Sequence, residues 1–282
     1  MHTKLPRIHT TGPQGTAAFT MIELLAAITI LMIIVSIMGV IFSESDRAWS
    51  QGTAMVERNT EGRAALNLLG HDLQYALADD VLTFAMRDDR DDLETFGHLN
   101  SEICFVSLSQ RPEESGTDNA RATQQIFYYV TERTADDKVG GTPLGRYQLM
   151  RTAINTDMTD GRSAYGNTLW YDQGANNGGQ GTFNSTSIIA ENVVALRFFA
   201  PNDQGDLDTE YLSEDERYKN RLPQYVDVFL EVMGEKDAIR AADLAERLGD
   251  TDPKVLDFVE KHSRRYTARV YFQNRAGYRK RA

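Results

Sequence analysis

The sequence has a single cysteine, Cys104, set in the apolar run "ICFVSL". One cysteine excludes an intrachain disulfide and a CxxC metal site. Its apolar surroundings predict a buried, inert thiol, and it does not decide the compartment. Histidine is scarce as well. His2, His9, His71, His98 and His262 are scattered, with no HExxH, GxSxG or Cys/His pairing around them. No catalytic residue is assigned, and an enzyme is not expected. The adjacent pair His71-Asp72 resembles an acid/base couple. Neighbouring helix residues point about 100° apart, so it reads as a solvated helix face. Positive charge is short too, with a formal net charge of −11. That balance argues against a nucleic-acid partner, which normally meets a basic face. Basic residues gather only at Arg275, Arg279, Lys280 and Arg281, read as a solvated end. The glycine-rich stretch 172–183 lacks GxxxxGK[ST] and a strand-to-helix context, so it is a loop and no phosphate cradle. No cofactor is called for.

What the chain does have is one long hydrophobic run, Phe19 to Phe42, interrupted by Glu23 near its start. As a helix it would rise about 36 Å, against about 30 Å for a bilayer core. Residues 1–18 carry Lys4 and Arg7 and no acid, whereas Glu44 and Asp46 follow the span. This asymmetry predicts a cytoplasmic amino terminus and an exported remainder. The small residues Gly15, Ala17 and Ala18 precede the apolar run. In a secretory signal they would follow it. Cleavage at this point would remove a polar leader and keep the helix. An acid in a span costs about 2.5–3.5 kcal/mol on insertion scales and normally has a partner. The residues alone leave Glu23 open to three environments: a new α-amine at Phe19, a neighbouring subunit in a helix bundle, or the headgroups.

The stretch "AFTMIELLAAITILMIIVSI" resembles the class III signal of type IV pilins and type II secretion pseudopilins. Phe19, Thr20, Ile22, Glu23, Leu24 and Leu25 match that pattern by position. Met21 replaces the usual Leu, and Ala18 replaces the usual Gly before the cut. The resemblance implies cleavage between Ala18 and Phe19 by a prepilin peptidase and N-methylation of Phe19. It also implies assembly through Glu23, paired with the neighbouring subunit's Phe19 amine. Other pseudopilins or pilins and an inner-membrane assembly platform are the implied partners. The implied location is the inner membrane, single-pass, with the head in the periplasm. The alternative is an uncleaved single-span membrane protein with an exported binding or sensor domain.

The expected fold is α+β and pilin-like: a leader (1–18), a transmembrane helix (19–42), a soluble helix continuation (43–80) and an antiparallel β-sheet head (81–282). No proline occurs from Ser43 to Tyr75, and Leu66, Leu69, Leu73, Ala76 and Leu77 recur on one helix face. A helix from Phe19 to Tyr75 would be about 85 Å long. Gly39, Gly52 and Gly62 leave it straight, kinked or partly melted. Strands are predicted at 102–110, 124–132 and 145–154, the last two as a hairpin. Three more follow at 191–203, 222–235 and 264–273. Val226, Val228, Leu230 and Val232 alternate with Asp227 and Glu231, as a half-buried antiparallel sheet requires. Tyr266, Ala268, Val270 and Phe272 share one face of the last strand. One sheet face should cover the amphipathic helix. Residues 236–262, with Gly249 and Pro253 between apolar repeats at Ile239, Leu244, Leu248, Val255, Phe258 and Val259, predict two short helices inserted in a hairpin.

Asp88, Asp89, Asp91 and Asp92 alternate with Arg87 and Arg90 and read as a solvated loop. The acidic stretch 202–216 lacks the D-x-[DN]-x-[DN]-G spacing of a calcium loop. Some pseudopilins hold calcium in a loop, but no metal ligand is assigned. The order "VVALRFFAPND", "LPQYVDVFLEV", "YTARVYF" is similar to the minor pseudopilin J family of type II secretion. With the Ala-rich helical insertion after "FLEV", the layout is similar also to the Verru_Chthon cassette protein C family.

Overall fold

The computed structural model describes residues 20–88, 94–96, 98–108, 123–132, 138–139, 142–143, 147–155, 185–202 and 204–273. The chain divides into two units, Met1–Thr53 and Ala54–Ala282. The first contributes the apolar part of a single helix, α1 (Met21–Gln74). Every residue from 20 to 50 is exposed, Met21 to Phe42 included. A helix that is apolar on all sides has no polar face to give to water. Met21–Ser50 is long and apolar enough to cross a membrane. Thr29 donates its hydroxyl to the Leu25 carbonyl at 2.8 Å, so its polar group is satisfied within the helix.

In the second unit α1 becomes amphipathic. Gly62, Ala65, Leu66, Leu69, Gly70, Asp72 and Leu73 are buried along one face, while Arg63, Ala64, Asn67, Leu68 and His71 are exposed. The helix is unbroken from Met21 to Gln74, so the glycines do not melt it. Gly62 instead marks a close approach: a Cβ there would lie 2.6 Å from the Tyr266 ring. The tyrosine hydroxyl donates to Asn59 Oδ1 at 2.9 Å, one turn earlier. The helix ends at Gln74, short of the expected boundary at residue 80. Ala76 and Leu77, expected on the helix stripe, form strand β1 (Ala76–Leu77) instead. They pair with Ser107 and Val106, and these sheet hydrogen bonds replace those another helical turn would make.

Next in order are β2 (Ala85–Asp88), β3 (Glu94–Thr95), β4 (His98–Leu99), β5 (Ser101–Leu108), β6 (Thr123–Glu132), β7 (Lys138–Val139), β8 (Thr142–Pro143), β9 (Tyr147–Asn155) and β10 (Ser185–Glu191). Then come β11 (Val193–Pro201), β12 (Leu207–Asp208), β13 (Tyr211–Leu212), β14 (Tyr225–Met233), α2 (Glu235–Leu248), α3 (Pro253–His262) and β15 (Ser263–Tyr271). A seven-stranded sheet has the order β10-β9-β6-β5-β2-β13, with β1 also on β5. A four-stranded sheet has the order β12-β11-β14-β15. All pairings are antiparallel, including the expected β6–β9 pair. The mixed helix and antiparallel sheet agree with the α+β expectation.

The main core takes Ala65, Leu66, Leu69 and Leu73 from α1, Phe105 and Tyr128 from the large sheet, and Leu196, Val228 and Leu230 from the small one. One sheet face therefore covers the helix, as expected. Strands β5 and β6 are buried on both faces, which half-buried alternation does not anticipate. Ile103 and Phe105 enter the main core, whereas Cys104 and Val106 enter a second cluster with Phe127, Tyr129 and Ile154. Cys104 is a buried free thiol.

Two further expectations change. The alternation puts Asp227 and Glu231 together on the polar side of β14, yet Glu231 is buried. It stands opposite Arg265 on β15, accepts from Arg265 Nε at 3.0 Å and also from the Ser263 hydroxyl. Cross-strand partners, not water, satisfy this acid. The inserted helices α2 and α3 are present, but α2 buries Ala238, Ala241, Ala242 and Ala245, and Leu248 is exposed. The narrow alanine face faces the core, and small side chains allow close packing there. Asp252 caps α3 by accepting from the Lys254 N–H at 2.8 Å, with Pro253 at the first helical position.

Candidate functional site

The amino-terminal end of α1 carries the residues to which the sequence points. Ala18 and Phe19 lie outside the described residues. Glu23 is in the first turn. Thr20 is the residue before the helix. Its backbone N–H and its hydroxyl both donate to Glu23 Oε2 at 2.9 Å. The Glu23 N–H in turn points to Thr20 Oγ1 at 3.4 Å. Thr20 and Glu23 thus form a reciprocal capping box, in which a hydroxyl at the cap and a carboxylate three residues on satisfy amides that the first turn leaves without partners.

The sequence carries the signal for this box as Thr-x-x-Glu just before an apolar run, a pattern that the acid's intramembrane cost alone does not suggest. A carboxylate sited there also meets the positive end of the helix dipole. Among the described residues, only one of its two oxygens is used. The cap occupies Oε2 and leaves Oε1 able to accept from a second donor, since an ionised carboxylate has about four acceptor sites.

At the other end of α1, Asp72 overturns the solvated-face reading of His71-Asp72. His71 is exposed, but Asp72 is buried. Its Oδ2 accepts from the Tyr128 hydroxyl at 2.8 Å and from Arg151 Nε at 2.7 Å. Burial, and then the negative charge of Asp72, push the Tyr128 phenol well above its ordinary range. Burial works against the charged form of Arg151, but the hydrogen bond and charge of Asp72 outweigh it and raise the guanidinium's pKa. An acid in the last turn of a helix is disfavoured by the dipole, and the cation beside it offsets this. The orphan carbonyls of this turn also find partners. Asp72 O accepts from the Ser107 hydroxyl at 3.1 Å, and Gln74 O from the Gln273 N–H at 3.1 Å. The missed signal lies in spacing: Asp72 falls three residues after Leu69, on the apolar stripe itself. This cluster joins helix to sheet and has the composition of a structural lock.

In the acidic stretch 202–216, Asp208 accepts from Asn202 Nδ2 at 3.2 Å and from the Tyr218 hydroxyl at 3.3 Å. Asp215 is held by Arg217, with Nη2 at 2.8 Å and Nε at 3.1 Å. The side chains of Asp88, Asp89, Asp91 and Asp92 lie outside what is described. His262 stacks on Phe258 with ring centroids 4.1 Å apart, and its Nδ1 lies 2.8 Å from the Phe258 carbonyl oxygen. No protein-family model matches this chain, and no curated protein matches it.

Proposed function

We propose that this protein is a minor pseudopilin, an assembly subunit of a type II secretion or type IV pilus-like filament. A prepilin peptidase cuts it between Ala18 and Phe19 and methylates the new amine at Phe19. The helix then leaves the bilayer to join the filament core. The observation that carries the reading is the acid at the start of an uncovered apolar helix, Glu23, with Oε1 unengaged among the described residues. In this account a neighbouring subunit's Phe19 amine pairs with that oxygen. In a low-dielectric helix bundle an unpaired acid is far worse than a paired one, so the pair selects the stagger between subunits. The head, with its two sheets, carries partner specificity.

The capping box favours a second reading. Glu23 is already hydrogen-bonded within its own helix, so an uncleaved single-span protein would tolerate it without a partner subunit. Two substitutions separate the readings. Glu23→Gln keeps an acceptor for the cap but removes the charge. Thr20→Val removes the side-chain cap but keeps the charge. If pairing drives assembly, E23Q inserts in the membrane but is absent from sheared filament fractions, while T20V assembles at near wild-type levels. Normal assembly of E23Q contradicts the pairing.

A further inference from the structure

The head has a cleft of about 430 Å³ between the turn after β11 and the loop that leads into β14. The volume falls within the range of sites that hold peptides and small ligands. Its lining separates charge in an unusual way. The adjoining stretch 203–216 is strongly acidic, and the chain as a whole has a net charge of −11. Yet among the described residues the charged side chains that line the cleft are cations: Arg217, Lys219 and Arg221. Two of the nearby acids bond residues of the lining itself. Asp208 accepts from Asn202 and Tyr218, and Asp215 is held by Arg217. No ion pair among the described residues engages Lys219 or Arg221. The other polar lining comes from Asn202, Gln204 and Gln224, side chains that can hydrogen-bond a peptide backbone.

The backbone adds a second, independent observation. Lys219 and Asn220 are consecutive non-glycine residues with positive φ, at 51° and 56°. Such conformations persist only where their surroundings enforce them, and they gather at ligand clamps. The enforcement is visible. The Asn220 N–H donates to the Ser213 carbonyl at 2.8 Å, and Asn220 Nδ2 to Asp80 Oδ1 at 2.9 Å. Beneath the loop, Tyr211 and Tyr218 stack with centroids 3.9 Å apart, and the Tyr211 hydroxyl donates to the Arg221 carbonyl at 2.8 Å. A loop held this firmly, with its free cations on the rim of a polar cleft, is pre-organised for an anion.

We propose that this cleft binds an acidic, extended peptide segment of a partner protein. The charge complementarity selects the partner's chemistry. The volume exceeds what a single inorganic anion fills, and the amides suit a main chain. The inference stands whether or not the leader is cut. The test uses detergent-solubilised full chain and fluorescently labelled Asp/Glu-rich peptides, followed by anisotropy. Saturable binding that weakens as salt rises is expected, with no binding of Gln/Asn-rich peptides of the same length. The double variant Lys219→Glu/Arg221→Glu should weaken binding by about tenfold or more, and the milder Lys219→Gln by a smaller factor if the double variant does not fold. Arg247→Glu, on the exposed side of α2, should leave binding unchanged. Absence of saturable binding, or equal loss in the Arg247 variant, overturns the proposal. Displacement of the peptide by inorganic phosphate or citrate at similar concentration also overturns it, in favour of a small-anion site.

Discussion

Glu23 shows how one side chain can serve two bonds. Its cap satisfies the helix end through Oε2, a local matter of the first turn, and Oε1 is the atom on which the assembly proposal turns. Glu61, a second acid on α1, has a different problem. It is half-buried against β10, where it accepts from the Glu191 N–H. Burial raises its pKa above the ordinary 4.5, the Glu191 hydrogen bond opposes this, and the Glu191 charge adds to the rise. The folded state therefore holds this proton more tightly than the unfolded chain. Its contribution to stability is present in acid and is lost as pH climbs through the raised value. Glu61→Gln keeps the acceptor and removes the charge. We expect it to raise the Tm of the head at neutral pH by the equivalent of at most about 1 kcal/mol, given the remaining solvent screening. The advantage should shrink toward pH 4. Thermal melts of both proteins across that range check it, and a difference that does not vary with pH would refute it.

At the scale of elements, the joint between α1 and β15 is set by size. Adding a methyl at Gly62 would gain about 1 kcal/mol of helix propensity. It would also press on the Tyr266 ring, which is buried and tied to Asn59. Overpacking of this kind costs about 1–3 kcal/mol, so the clash outweighs the gain. Gly62→Ala should lower the Tm of the head, while Gly52→Ala, which meets nothing within 4 Å, should leave it unchanged or raise it. A Tm rise for both variants would mean that the close approach has no energetic weight. At the carboxyl end of the helix, Asp72→Ala would leave Arg151 mostly buried without its carboxylate. Removing one partner of such a pair costs about 3–5 kcal/mol. Chemical denaturation should show a loss of that order, and a loss below about 1 kcal/mol would show that solvent reaches Arg151 freely. The sequence made the elements themselves legible. Alternation in 222–235 and 264–273 and the stripe at Leu66, Leu69 and Leu73 gave helix, strands and their buried faces. It did not give Glu231 or Asp72 as buried acids. Their partners, Arg265 with Ser263 and Arg151 with Tyr128, come from strands distant in sequence, and no local pattern carries that pairing. The helix end is illegible for the same reason. Ala76 and Leu77 fit a helical period, but an edge of β5 was available to them.

For the whole molecule, the two halves of the sequence were legible to different degrees. Composition makes the apolar helix legible, because Phe19 to Phe42 has almost no polar side chain to give to water. Charge placement could not reveal the cleft at Arg217, Lys219 and Arg221. Those cations stand together as RYKNR directly after the acidic stretch, where they read as the other half of a charge-balanced loop, and only the fold shows that they line a cleft. The functional account rests on the amino-terminal motif and makes one demand above the others, that the chain be cut before Phe19. Intact mass spectrometry of the protein, extracted from membranes of cells with an active prepilin peptidase, tests this directly. The account predicts a species that lacks residues 1–18 and carries one added methyl group on Phe19. A single full-length species, with Ala18 and Phe19 still joined, would contradict it.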